Sequence, residues 1–172
     1  MKFNRSCELV KYILFFWFIF LLVPKAAYAG FWHKCSAFAS PVTMEKIAYV
    51  ESGGKPYIIH DNTANKSYIF KSRRSAVNEA RYLIKSGHNI DMGLAQINSA
   101  NIYNFNIPIT RVFNPCYNIY VGSYILYSDY NKAVLKFGNT RTALFRTLEA
   151  YNSGSFYGDK KYAFNVWNAL NK

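Results

Sequence analysis

Acidic residues are scarce in this chain: 9 Asp and Glu stand against 21 Lys and Arg among 172 residues, a formal net charge of +12. Charged residues make up only 17% and form no block of like sign, which excludes a highly charged disordered tail. Five prolines and nine glycines without period exclude a collagen-like fibre and a flexible linker. Repeats and low-complexity stretches are absent, so no boundary divides the body of the chain. Histidine is limited to His33, His60 and His88, isolated from one another and from cysteine, so no metal-ligand spacing exists and no metal site is expected.

Long apolar runs are also missing, with one partial exception. Tyr12 to Val23 is unbroken but far shorter than the roughly 20 residues of a spanning helix. Lys2, Arg5 and Lys11 precede it, and Pro24, Lys25 and the small-residue pattern Ala27-Tyr28-Ala29 follow. That order reads as a secretory signal peptide over 1–29, cleaved after Ala29, with an uncleaved anchor as the alternative. The expected product is one exported domain, 30–172, with no membrane span after cleavage. It stays basic, which suits an anionic polymer of the cell envelope. Nucleic acid is not expected, because Lys71, Arg73, Arg74, Lys160 and Lys161 are scattered and fit no nucleic-acid motif.

Of three cysteines, Cys7 lies in the leader, leaving Cys35 and Cys116. In an oxidising compartment they can pair, and in the chain-entropy model such a bridge would stabilise the fold by roughly 4–5 kcal/mol; two buried thiols are the alternative.

Periodicity in 30–172 is mostly helical. Ser40-Pro41 supplies an N-cap and a Pro at the first helical position; Met44, Ile47, Ala48 and Glu51 then share a face until Gly53-Gly54 stops the helix. Tyr57-Ile58-Ile59 and Ser67-Tyr68-Ile69-Phe70 flank a polar turn, predicting a small hairpin. Ser75 opens a helix with Ala76, Ala80, Leu83 and Ile84 on one face and Gly87 as its stop. Asn114-Pro115 opens another, bearing Ile119, Leu126 and Tyr130. Gly138-Asn139-Thr140 punctuates, Leu144, Leu148 and Tyr151 mark the next, and Tyr162, Val166 and Leu170 the last. The prediction is a predominantly α-helical α+β globule with a small β-hairpin region.

Glu51 falls on the apolar face of its helix and in the last turn. Desolvation and the unpaired carbonyls there both disfavour its charge, raising its pKa towards that of a proton donor at neutral pH. A solvated glutamate at a frayed helix end is the alternative.

Four motifs surround it in order: Glu51-Ser52-Gly53; Asp91-Met92-Gly93-Leu94-Ala95-Gln96-Ile97-Asn98-Ser99; Asn114-Pro115-Cys116-Tyr117-Asn118-Ile119; and Ala150-Tyr151-Asn152-Ser153-Gly154. The set resembles the lytic transglycosylase domain of the lysozyme superfamily, in particular the small exported members that accompany conjugation and type IV secretion machines. The resemblance runs from about Cys35 to Trp167 and implies a lysozyme-like fold. It implies that Glu51 is general acid and base and that Ser52 orients its carboxyl. Gly93, Leu94, Gln96 and Ile97 would line the saccharide cleft, and Asn114 and Asn118 would brace it. Tyr151 would place its hydroxyl near Glu51, supported by Asn152; core packing is the alternative for Tyr151. Ala95 stands where many members carry Met, which would widen the cleft locally.

The implied reaction is non-hydrolytic cleavage of peptidoglycan glycan strands with a 1,6-anhydromuramoyl product and no cofactor, in the periplasm or cell envelope, with secretion or conjugation subunits as further partners. Asp91 is a candidate second carboxylate: the same motif resembles animal-type lysozymes, so a hydrolase using Glu51 and Asp91 is one alternative, and a local turn role for Asp91 another. A non-catalytic wall-binding scaffold and an exported DNA adaptor complete the alternatives.

Overall fold

A computed structural model describes residues 24–170, with side chains from residue 30 onward. The predicted leader therefore lies outside the described residues over 1–23. The chain divides into two units, Met1–Phe31 and Trp32–Lys172, and every side chain of the candidate site belongs to the second.

Helix α1, Pro24–Cys35, ends at a cysteine. Helix α2, Pro41–Ser52, has Pro at its start; the expected Ser40 cap makes no side-chain hydrogen bond, so proline geometry alone sets this N-terminus. Gly53 stops α2 in the left-handed conformation, φ 60°, its N–H returned to helix carbonyls. The hairpin forms as strands β1, Ile58–Asp61, and β2, Lys66–Ile69, but it is half of a larger sheet. Strands β3, Ile90–Met92, and β4, Ile97–Asn98, extend it into an antiparallel sheet of order β2-β1-β3-β4, with His60 opposite Asp91 and Asp91 opposite Asn98.

Between β2 and β3 runs α3, Arg73–Lys85. Its cap is Ser72, whose hydroxyl accepts the Ser75 N–H, so the helix begins before the predicted Ser75. Two short helices that the periodicity did not reveal follow β4: α4, Ser99–Asn104, and α5, Ile109–Val112. Three longer ones close the fold: α6, Pro115–Phe137; α7, Arg141–Ser153; and α8, Lys160–Leu170. Asn114 caps α6 and Thr140 caps α7, each through a side-chain oxygen. α6 packs on α7, α7 on α8, and α8 on α2. The core runs between them and the sheet, with Met44, Ile47, Ile59, Ile90, Phe113 and Ile119 fully buried. Leu144, placed on the apolar face of α7 by periodicity, is 45% exposed instead.

Cys35 and Cys116 form a disulfide with Cα atoms 4.9 Å apart, tying the end of α1 to the first turn of α6. Among the described residues no helix is long and apolar enough to cross a membrane. The architecture is the predicted predominantly helical α+β fold, with a larger sheet than the hairpin expected.

Candidate active site

A cleft of about 600 Å³ gathers Glu51, Asp91, Gln96, Ile97, Tyr151 and Asn152 from three stretches of chain. Glu51 reaches it because Met44, Ile47 and Ala48 bury the same face of α2, leaving the next helical position at the core's edge. Its surface stays partly accessible, yet the surroundings are dense enough to push its pKa from 4.5 up to about 7. Desolvation is the main cause. The hydroxyl of Tyr162, on α8, opposes the rise without reaching the geometry of a full hydrogen bond, and the charge of Asp91 adds to it.

Asp91 is not a turn residue bonding to its own backbone. It sits in β3, where the side-chain amides of Asn62 and Asn98 each donate to one of its oxygens at 2.7 Å. Asn98 also donates to Asn89 Oδ1 at 2.6 Å, and its own oxygen caps α4 by accepting the Ala100 N–H at 2.9 Å. The sheet side of the cleft is therefore a row of carboxamides around one carboxylate, suited to ligands rich in hydroxyl and N-acetyl groups.

The turn between β3 and β4 corrects several expected roles. Gly93 does not make room for a ligand: at φ 78° it makes room for Asn118, whose Nδ2 would lie 2.4 Å from a Cβ added there. Asn118, 1% exposed, accepts the Ala95 N–H at 2.7 Å and donates to the carbonyls of Met92 at 2.9 Å and Val112 at 2.8 Å. These three bonds tie the β3–β4 turn and the end of α5 to α6. Leu94 is buried and does not line the cleft; Ala95 is fully buried against Gly122 of α6, so its small side chain serves helix approach and widens nothing. Gln96 does line the cleft, at φ 45°, held by its amide donating to the Gly93 carbonyl at 2.8 Å.

Ser52 does not orient Glu51. Its buried hydroxyl donates to the Ala48 carbonyl one turn back, at 2.8 Å, the default for serine in a helix. The Tyr151 hydroxyl donates to the Ala95 carbonyl at 2.9 Å, so α7 grips the turn that α6 braces. Burial pushes its pKa well up, and the nearby charges of Glu51, Asp129 and Asp91 add to this. Tyr151 feels the charge of Glu51 across the cleft, while its proton is committed to backbone.

Asp129 and Lys132 of α6, 3.2 Å apart, also line the cleft and belong to no motif. Burial raises the Asp129 pKa although Lys132 works against it. Asn62, Ile125 and Ser128 were likewise unforeseen. Among the described residues no group of His, Cys, Asp and Glu could hold a metal ion.

Residues 34–167 match the family described as the transglycosylase SLT domain. The chain is 33% identical over 129 residues to the type IV secretion system protein virB1 of Brucella suis biovar 1, covering 74% of this chain and 54% of that protein. It is 30% identical over 135 residues to protein virB1 of Agrobacterium fabrum, covering 76% and 53% respectively. The chain thus spans about half the length of the curated relatives it matches. No solved structure matches it.

Proposed function

Because the chain belongs to the transglycosylase SLT domain family, we propose that it is a peptidoglycan lytic transglycosylase, cleaving the β-1,4 bond between N-acetylmuramic acid and N-acetylglucosamine. The observation that carries this reading is Glu51, a carboxyl in a saccharide-sized cleft whose pKa is pushed up to about 7. Half of such groups hold a proton at neutral pH, so one residue can act first as acid and then as base.

In the first step the Glu51 proton passes to the glycosidic oxygen as its bond to muramoyl C1 breaks. N-acetylglucosamine leaves as an alcohol. The Glu51 carboxylate then takes the proton of the muramoyl C6 hydroxyl as that oxygen bonds to C1, closing the 1,6-anhydro ring and restoring the acid. No water is consumed, and no cofactor is required. The muramoyl N-acetyl group can assist as an internal nucleophile, so a second protein carboxylate is not obligatory.

The name of the Brucella suis relative supports a place beside a type IV secretion apparatus, where local opening of the wall would admit the machine. The leader pattern of 1–29 and the disulfide support export to the periplasm. Asp91, lining the same cleft, is the one observation favouring a two-carboxylate hydrolase. Mass spectrometry of muropeptides from digested sacculi tests the two: anhydro-muropeptides are expected, and a digest giving only reducing muramic ends would sink the transglycosylase reading.

A further inference from the structure

The outer face of α6 carries aromatic rings where a surface helix ordinarily carries charge. Tyr117, Tyr120, Tyr124 and Tyr127 recur at helical spacing, which sets successive rings roughly 4.5–6 Å apart along the axis. Three of them gather around Phe38, and the fourth, Tyr117, stacks on Tyr120. Phe38 meets Tyr120 and Tyr124 at 5.2 Å and Tyr127 at 6.1 Å between ring centroids, while Tyr117 and Tyr120 lie nearly parallel at 6.3 Å. Tyr120, Tyr124 and Tyr127 nonetheless remain 40–45% exposed.

This strip is continuous with the cleft. Phe105, just after α4, lines the cleft, and its ring stands perpendicular to that of Tyr124 at 5.6 Å. At the other end the Arg111 guanidinium lies 4.0 Å from the Tyr117 ring centroid. We propose that this aromatic strip is a glycan-stacking shelf, which holds the peptidoglycan strand where it leaves the cleft past Phe105.

The proposal rests on the cleft's being a peptidoglycan site, and three features single out a saccharide as the occupant. Phe38 and Tyr127 also border an apolar pocket lined by Leu126, Leu144 and Leu148, but the strip itself joins the cleft through Phe105 and Tyr124, the path a polymer extending beyond the cleft would take. Tyrosine presents an apolar ring face for the C–H groups of a pyranose and a hydroxyl for its polar substituents. Arg111 supplies a cation at the far end, where stem-peptide carboxylates of the same polymer could meet it.

The test compares polymer with short substrate. Co-sedimentation with purified sacculi, measured in a Glu51→Gln background to prevent digestion, should show affinity falling about tenfold in Tyr120→Ala/Tyr124→Ala. The same pair of substitutions with Glu51 intact should slow release of products from sacculi while leaving turnover of a short soluble glycan unchanged. Tyr120→Phe/Tyr124→Phe should keep most of the binding, since the ring faces remain, and its retained affinity distinguishes stacking from a folding defect. Undiminished sacculus affinity in the alanine pair would overturn the shelf, and so would a loss confined to binding of a secretion-apparatus protein. Failure of the underlying reading looks different: no anhydro-muropeptide from the unaltered protein on either substrate.

Discussion

Asn118 occupies the space that a Cβ on Gly93 would need, its Nδ2 lying 2.4 Å from that position. Both amide protons of Asn118 and its oxygen are used on backbone of the segments around the cleft floor. Glycine and asparagine therefore form one device, and neither can change alone. Gly93→Ala should cost roughly 2–4 kcal/mol, combining a left-handed backbone with displacement of a buried, fully bonded amide. Gly54→Ala is the matched control: φ is 74° there, but nothing lies within 4 Å, so only the backbone cost of about 1 kcal/mol should appear. Denaturant unfolding of both variants measures the difference.

The disulfide joins α1 to α6 two residues before Asn118, so it tethers the brace to the end of α1. Replacing both Cys35 and Cys116 by Ser should cost about 2–5 kcal/mol and lower the melting temperature. Thiol titration of protein from its natural compartment should find neither cysteine free; two free thiols there would end the idea.

Glu51 was legible in the sequence because helical period and motif agreed: Met44, Ile47 and Ala48 fixed the face, and Gly53 fixed the end. Tyr151 and Asn118 could be singled out only through motif, since a tyrosine on an apolar helical face reads first as core. Strands β3 and β4 were not visible, because three and two residues are too few to display alternation. Ser52 was misread because a helical serine has a carbonyl within reach one turn back, which motif adjacency does not reveal. Asp129 and Lys132 look like an ordinary surface i,i+3 pair until α6 packs beside the sheet and turns that face into a wall.

Asp61 is fully buried at the end of β1. Burial alone would raise its pKa, but the His88 ring at 2.7 Å and the N–H groups of Ala64 and Thr63 outweigh it and hold the carboxyl below its ordinary 3.8. A lowered folded pKa means stability present above 3.8 and lost as pH falls through the folded value. Asp61→Asn should therefore be less stable than the unaltered protein near neutral pH, with the gap closing in strong acid. A gap independent of pH would show that shape, not charge, is what the Asp61 site requires.

Asp91 raises the Glu51 pKa through its charge, so removing that charge should be felt in the pH profile before it is felt in the rate. Asp91→Asn should lose far less activity than Glu51→Gln and should move the alkaline inflection of kcat/KM to lower pH. Comparable losses in two folded variants would instead assign Asp91 to the chemistry of a two-carboxylate hydrolase.

The alkaline inflection itself should lie near the value of about 7 to which burial drives Glu51, with activity falling above it as the acid form is depleted. Linkage ties this to stability. A carboxyl whose folded pKa exceeds its unfolded 4.5 binds more protons folded than unfolded, so stability falls as pH rises from about 4.5 to about 7 and levels off beyond. The total penalty is on the order of 3 kcal/mol, the cost of keeping a charge in a desolvated site. Glu51→Gln keeps the shape and cannot ionise. It should abolish lysis, and above pH 7 it should unfold at higher denaturant than the unaltered protein, with the two curves converging below pH 4.5. An inactive variant with no gain in stability would mean that Glu51 is solvated when charged, and a fully lytic one would remove it from the mechanism.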